Sequence, residues 1–277
     1  MDDNEDTTRV VAVTGASNGM GLEAAKLFAK KGWIVYAGAR RVERIPADEN
    51  IIALALDVTN SSSNRAFVDR ILAEQGQVDV LINNAGYGEY GPAEEIPMEN
   101  VRKQFETNFF GAVELTQMLL PTMRSRGYGR IVNISSVGGY VYTPLGAYYH
   151  ATKAAMQQWS DVLDTEVAQF GIRSVCVNPG GTKSAWSSIA LDNAEKNLLP
   201  NSPYGPMVEK VRKGFSKMEK AGPSSADLAR DFYKAATAAK PELRYYHSVG
   251  DRLMVRVAKT HPKLWRRGID LLLKHLS

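Results

Sequence analysis

Val10-Val11-Ala12-Val13-Thr14-Gly15-Ala16-Ser17-Asn18-Gly19-Met20-Gly21 is the stretch that decides the fold. Its first four residues form an apolar run of strand length, and apolar spacing from Leu22 to Lys31 predicts a helix stopping at Gly32. Between them the glycines are spaced G-x-x-x-G-x-G. A glycine cluster alone would serve any tight turn. Set between a strand and a helix, it brings backbone N–H groups and a helix N-terminus to one point, which suits a pyrophosphate. Gly15, Ser17, Asn18, Gly19, Met20 and Gly21 are therefore candidate dinucleotide contacts.

The same alternation continues outward. Strands are predicted over 33–39, 51–56, 78–82, 130–134, 172–177 and 243–248, and helices over 60–75, 98–126, 147–170, 226–240 and 262–276. Strands alternating with helices imply right-handed βαβ crossovers and a parallel sheet covered on both faces. Residues 183–222 break the pattern with Pro200, Pro203 and Pro206 and read as short helices in an irregular insertion. Asn108 and Gly111, both poor helix formers, predict a kink or a freed carbonyl inside the long helix.

Composition narrows the function. With 277 residues, 44% of them hydrophobic and 23% charged, the chain supports a large core. Its single cysteine, Cys176, excludes an intrachain disulfide and a cysteine-rich zinc site and fits a reducing compartment. His150, His247, His261 and His275 lack metal-ligand spacing, so no metal is expected. The acidic Met1–Asp6 is the reverse of a targeting signal, and no apolar run approaches the ~20 residues of a spanning helix. These features predict a cytoplasmic protein with a solvated tail over residues 1–8. The net charge is +4, but residues 241–277 alone hold eight Lys or Arg against three acids. The remaining 26 bases and 27 acids balance, which argues against nucleic-acid binding.

Four further groups carry chemistry. The second strand ends Gly38-Ala39-Arg40-Arg41, with two guanidinium groups and no carboxylate. Arginine forks suit phosphate oxygens, so NADP(H) is preferred to NAD(H). Asp57 closes the third strand, either as an acceptor for an adenine amino group or as a turn residue. Asn83-Asn84-Ala85-Gly86 ends the fourth strand with small and amide side chains that let a ligand approach closely. Tyr149 and Lys153 stand four apart on one helix face, where a cation would stabilise phenolate and lower the tyrosine pKa. Ser135 and Ser136, thirteen residues upstream, place a hydroxyl where a carbonyl could accept from it.

With these residues in order, the sequence resembles a short-chain dehydrogenase/reductase from about Arg9 to Lys240. The glycine turn, Asn-Asn-Ala-Gly, Asn108, the serine pair, Tyr-x-x-x-Lys and Asn178-Pro179-Gly180 follow the family's order and spacing. Residues 35–41 and 142–149 are most similar to hydroxysteroid and retinol dehydrogenase-like members. The resemblance implies a Rossmann-type, doubly wound three-layer α/β sandwich with a parallel sheet of about seven strands. It makes Tyr149 the acid/base, Lys153 the ribose-holding cation, Ser136 the carbonyl-orienting hydroxyl and Asn108 the holder of a relay water. Gly15, Ser17, Met20, Asp57, Val58 and Asn84 would line the cofactor site, with Ala85, Gly86, Pro179 and Gly180 beside it. The family threonine that contacts the nicotinamide amide falls on Ser184, with Thr182 two residues earlier. Position 18, often basic in NADP-binding members, is Asn18.

The chain then reads as one reductase domain over 9–277, with a substrate lid over about 184–220 and a basic extension over about 250–277. Tyr142, Leu145, Tyr148, Trp186, Met207, Phe215 and Met218 are candidates for an apolar substrate pocket. The expected reaction is NADPH-dependent reduction of a hydrophobic ketone or aldehyde, reversible as alcohol oxidation. A non-catalytic NADP(H) sensor on the same fold is the alternative. The resemblance also implies a homodimer through the two long helices, with a tetramer as the further assembly. The basic C-terminal helix either packs on the body or a partner subunit, or docks on an anionic membrane surface.

Overall fold

The computed structural model describes residues 8–184 and 186–275, without the side chains of 217–221, 272 and 275. The tail expected over residues 1–8 thus falls almost wholly outside the described residues.

Seven parallel strands form one sheet in the order β3-β2-β1-β4-β5-β6-β7. They are β1 (Val10–Thr14), β2 (Ile34–Ala39), β3 (Ile51–Ala55), β4 (Val80–Asn83), β5 (Gly129–Ile134), β6 (Ile172–Val177) and β7 (Arg244–Tyr245). The order reverses between β1 and β4, so the loops after those strands diverge and leave a crevice at the carboxyl edge. The strands contribute to two cores by simple alternation. Val11 and Val13 join one core, and Val10 and Ala12 the other. The first core is closed by α1 (Gly19–Lys30) and α8 (Ser225–Thr237) through Phe28 and Phe232. The second is closed by α2 (Ser61–Gln75), α4 (Gly111–Arg126) and α5 (Ala147–Val167), through Phe67, Leu115, Leu119 and Leu163. This is the doubly wound three-layer α/β sandwich expected from the sequence.

Several boundaries differ from the reading of the sequence, each for a local reason. α1 starts at Gly19, not Leu22, because Asn18 caps it by accepting the Gly19 N–H at 2.7 Å. The long helix over 98–126 is three pieces: α3 (Met98–Phe105), a π turn over Glu106–Phe110, and α4. Asn108 lies in the π turn, where the expected irregularity falls. The insertion holds α6 (Trp186–Lys196) and the 17-residue α7 (Gly205–Ala221). Pro200 and Pro203 precede α7 and Pro206 sits in its first turn, where a missing N–H breaks no helical bond. The last strand shrinks to two residues, and an unexpected helix follows, α9 (Val249–Thr260). Ser248 and Asp251 form a reciprocal capping box that starts it. α10 (Pro262–His275) completes the chain's described part.

The C-terminal helices pack back on the body. Val255 and Ala258 of α9 join Val137 and Val141 in a small core, with Met254 and Trp265 against it. Trp265 donates its indole N–H to the Tyr142 carbonyl at 3.2 Å.

Candidate active site

The crevice at the β1/β4 switch point is a cleft of about 370 Å³. Gly15, Ser17, Asn18, Gly19 and Met20 line it, with Arg40, Arg41, Asp57, Val58, Asn84, Ala85, Gly86 and Ser184. Gly15 has φ +68, and a Cβ there would stand 2.9 Å from the Ala85 Cα, so the turn needs glycine on both counts. Asn84 braces the turn by donating its side-chain N–H to the carbonyls of Thr14 (2.9 Å) and Gly15 (3.3 Å). The Thr14 hydroxyl accepts from the backbone N–H groups of Asn84 and Ala85. Gly21 does not line the cleft. It is buried against Asn84 and the Gly15 carbonyl and serves the close approach of α1.

No acid stands in the first turn of α1, so its N-terminus faces the cleft unopposed. Arg40 and Arg41 are exposed at the end of β2 and have no ion-pair partner among the described residues. Asp57 holds a turn by accepting from the N–H and hydroxyl of Thr59, and its carboxylate also faces the cleft. A glycine turn opening a helix, with two guanidinium groups beside it that lack an ion pair among the described residues, fits the phosphates of a dinucleotide.

A second cavity of about 260 Å³ adjoins this cleft and shares Met20, Asn84, Gly86 and Trp186 with it. Ser136, Tyr149, Lys153, Pro179, Gly180 and Thr182 line it. Tyr149 and Lys153 come from one face of α5, and both are buried. The Lys153 ammonium lies 5.8 Å from the Tyr149 ring centre and donates to the Ile134 carbonyl at 2.8 Å. Ser135 fastens α5 to the end of β5 by donating to the Lys153 carbonyl at 2.9 Å. Ser136 accepts the Gly138 N–H at 2.9 Å and donates to the Pro179 carbonyl at 3.3 Å. The Asn108 amide clasps the backbone of Tyr87 through both its oxygen and its nitrogen, each at 2.9 Å. Its oxygen lies 3.2 Å from where a Gly86 Cβ would stand, and the Lys153 Nζ lies 3.6 Å from the same point.

The electrostatics depart from one expectation. The spacing of Tyr149 and Lys153 suggested a lowered phenol pKa. Burial instead pushes Tyr149 up to about 12, against a smaller opposite pull from the Ser136 hydroxyl. Burial also pushes Lys153 down to about 8. At neutral pH the phenol keeps its proton and the ammonium keeps its charge.

The seven pocket residues expected from the sequence divide. Trp186 and Phe215 line the second cavity, and the Trp186 ring centre lies 4.8 Å from that of Tyr149. Leu145 and Met207 pack in the core beneath it without reaching it. Tyr148 turns away and donates to the Ala93 carbonyl. The exposed Tyr142 contributes its carbonyl to Trp265 and does not line the cavity. The Met218 side chain lies outside the described residues. Unforeseen lining comes from Tyr90, Val141 and Thr143, and from Met254, Trp265 and Ile269 of α9 and α10. Trp265, Ile269 and Leu273 have the i, i+4, i+8 spacing of one helix face, so an inward face was readable. Where that face lands is a tertiary matter. His150 also reaches the cavity edge, bridging the Gly138 carbonyl (2.8 Å) and the Thr143 N–H (3.0 Å). Ser184 and Thr182, rival candidates for one contact, hydrogen-bond each other at 2.9 Å. Ser184 faces the cleft and Thr182 the second cavity.

Comparison with known proteins agrees with this geometry. Residues 9–194 match the short chain dehydrogenase family model. The chain is 35% identical over 261 residues to a 3-ketodihydrosphingosine reductase of Bacteroides thetaiotaomicron, covering 93% of each chain. A short-chain dehydrogenase from Streptomyces avermitilis superposes with a TM-score of 0.78 at 32% identity, covering 97% of each chain. The closed form of a serine dehydrogenase complexed with NADP+ gives 0.74 at 26% identity, covering 86% of this chain and 93% of its own. A glycine cradle at the strand-order reversal, a tyrosine–lysine pair beside it and matches over nearly the whole length lead to one statement: the chain is an oxidoreductase belonging to the short-chain dehydrogenase/reductase family.

Proposed function

We propose that the protein is an NADP(H)-dependent carbonyl reductase, reversible as an alcohol dehydrogenase, acting on hydrophobic ketones, aldehydes or secondary alcohols. One observation carries this reading. The Tyr149 phenol, the Ser136 hydroxyl and the Lys153 ammonium converge on a mostly apolar cavity that opens into the dinucleotide cleft. A sensor that only bound nucleotide would have no use for a buried phenol and ammonium at that junction.

The nicotinamide, when bound, supplies or takes the hydride. Ser136 donates to the substrate oxygen and orients it. Tyr149, which holds its proton at neutral pH, gives it to that oxygen in the reductive direction, and anything that steadies the phenolate eases the transfer. Lys153 holds the ribose hydroxyls, and its charge stabilises the phenolate left behind. Asn108 keeps the π turn against Tyr87 and so fixes the floor beneath the lysine. Arg40 and Arg41, free of ion pairs among the described residues, would receive the 2′-phosphate, which favours NADP(H) over NAD(H). The apolar wall of Tyr90, Phe215, Trp265 and Ile269 favours a fatty-chain, steroid, retinoid or aromatic substrate. The fatty-chain case is in keeping with the similarity to a 3-ketodihydrosphingosine reductase of Bacteroides. A homodimer through α4 and α5 would cover the exposed Phe110 and Val162.

A panel of ketones and aldehydes assayed by loss of NADPH and NADH tests the reading. Lipophilic carbonyls should be reduced, with NADPH preferred. Tyr149→Phe should lower kcat by roughly 10²–10⁴-fold while leaving NADPH binding intact. Activity confined to small charged keto acids would remove the lipophilic pocket from the account, and an active Tyr149→Phe would remove the acid.

A further inference from the structure

The basic charge of the last 37 residues plays no part in the chemistry described above. The structure shows where it goes. On α9 and α10 one side faces inward, where Met254, Trp265 and Ile269 wall the second cavity. The other side is exposed and mixes apolar with basic residues. Val249 is 85% exposed, Leu253 and Leu264 are each 58% exposed and Leu271 is 55% exposed. Leu264, Arg267 and Leu271 follow at i, i+3 and i+7, along one stripe of α10. The acids of this region are already committed. Glu242 pairs with Arg252, Asp270 pairs with Arg266, and Asp251 caps α9. Arg256, Lys263 and Arg267 keep no acidic partner among the described residues.

We propose that the outer face of α9 and α10 docks on an anionic bilayer surface. Exposed leucines interleaved with unpaired cations are what such a surface selects. The apolar side chains enter the acyl boundary, and the cations meet lipid phosphates. A second copy of the chain fits this face poorly. A two-fold contact would set each basic row against itself. A nucleic acid would use the cations but gain nothing from the leucines. No described helix is long and apolar enough to cross a membrane, so the contact is peripheral. The helices that meet the lipid are also those that wall the cavity, so a lipophilic substrate would reach the site from the bilayer side.

Co-sedimentation of the full chain with vesicles tests this independently of the reductase reading, because pelleting needs no turnover. The probes are phosphatidylcholine alone and phosphatidylcholine mixed with phosphatidylserine. The protein should pellet with the mixed vesicles only. Arg256→Gln/Lys263→Gln/Arg267→Gln should weaken partitioning about a hundredfold, and Leu264→Gln/Leu271→Gln should abolish it. Thermal stability and turnover of a water-soluble carbonyl should stay unchanged in both variants, since these side chains are exposed. Wild-type protein left in the supernatant with both vesicles would overturn the proposal. So would variants that pellet like wild type. A self-association broken by Leu264→Gln/Leu271→Gln, with no pelleting, would assign the face to a second copy instead. Binding to a duplex oligonucleotide that the leucine variant retains would assign it to nucleic acid.

Discussion

Lys153 shows what burial does at the scale of one residue. Its ammonium sits in a nearly dry place with one backbone carbonyl as its acceptor. Desolvation moves its pKa to about 8, whereas an unfolded lysine stays near 10.5. Between those values the unfolded chain holds a proton that the folded one has released, so stability rises with pH across that window. Comparing denaturant unfolding of wild type and Lys153→Met at pH 7 and pH 10.5 isolates the effect. Wild type should gain on the variant by up to about 3 kcal/mol at the higher pH. A gap that stays constant with pH would show that the ammonium is not desolvated. The loss of the Ile134 carbonyl's partner is the same at both pH values and cancels. Reduction through a charged Lys153 should correspondingly decline above about pH 8. The four-residue spacing of Tyr149 and Lys153 was legible in the sequence, as was Ser136. The direction of the phenol's shift was not, because spacing reports neighbours and says nothing of exclusion from water.

At the scale of elements, local grammar was readable where apolar periodicity accompanied it. Alternation in β1 assigned residues to the two cores, and Gly76 and Gly171 end their helical segments in left-handed conformations. The π turn at Asn108 falls where two poor helix formers predict a kink or a freed carbonyl, although its type was not readable. α9 was missed although its signal is present in Ser248-Val249-Gly250-Asp251, since no long apolar run announces it. That capping box also sits at the site. A Cβ on Gly180 would meet the Asp251 carboxylate, so the first turn of α9 presses on the Pro179-Gly180 turn of the cavity. Ser248→Ala removes one cap, which should lower stability by about 1 kcal/mol. It should raise KM for a lipophilic substrate with little change in kcat. Thermal melts and steady-state kinetics read both, and an unchanged KM would detach α9 from substrate binding.

At the scale of the whole molecule, two kinds of information separate. The sheet order and the dinucleotide cleft rest on strands and turns whose residues are near one another in sequence or follow the βαβ rule. The cavity wall joins Tyr90, Phe215 and Trp265, which no periodicity relates. Deleting residues 249–277 tests that separation. The truncated chain should still bind NADPH, because none of its cleft residues is removed. It should lose most activity toward large lipophilic carbonyls while retaining more toward small ones. Equal loss for both classes would mean that the C-terminal helices support the whole fold and not one wall of it.

The order of these parts along the chain has a temporal meaning. Every residue lining the dinucleotide cleft lies between Gly15 and Ile189, whereas the substrate cavity waits for Met254, Trp265 and Ile269. A ribosome adding about 5–20 residues per second takes several seconds to make that last stretch. During synthesis the cleft's lining residues are made first, then α8 and β7, which complete its core and sheet, and last the helices that wall the second cavity. Once α8 and β7 are in place, a bound dinucleotide would stabilise the sheet by mass action while the last two helices are still being made.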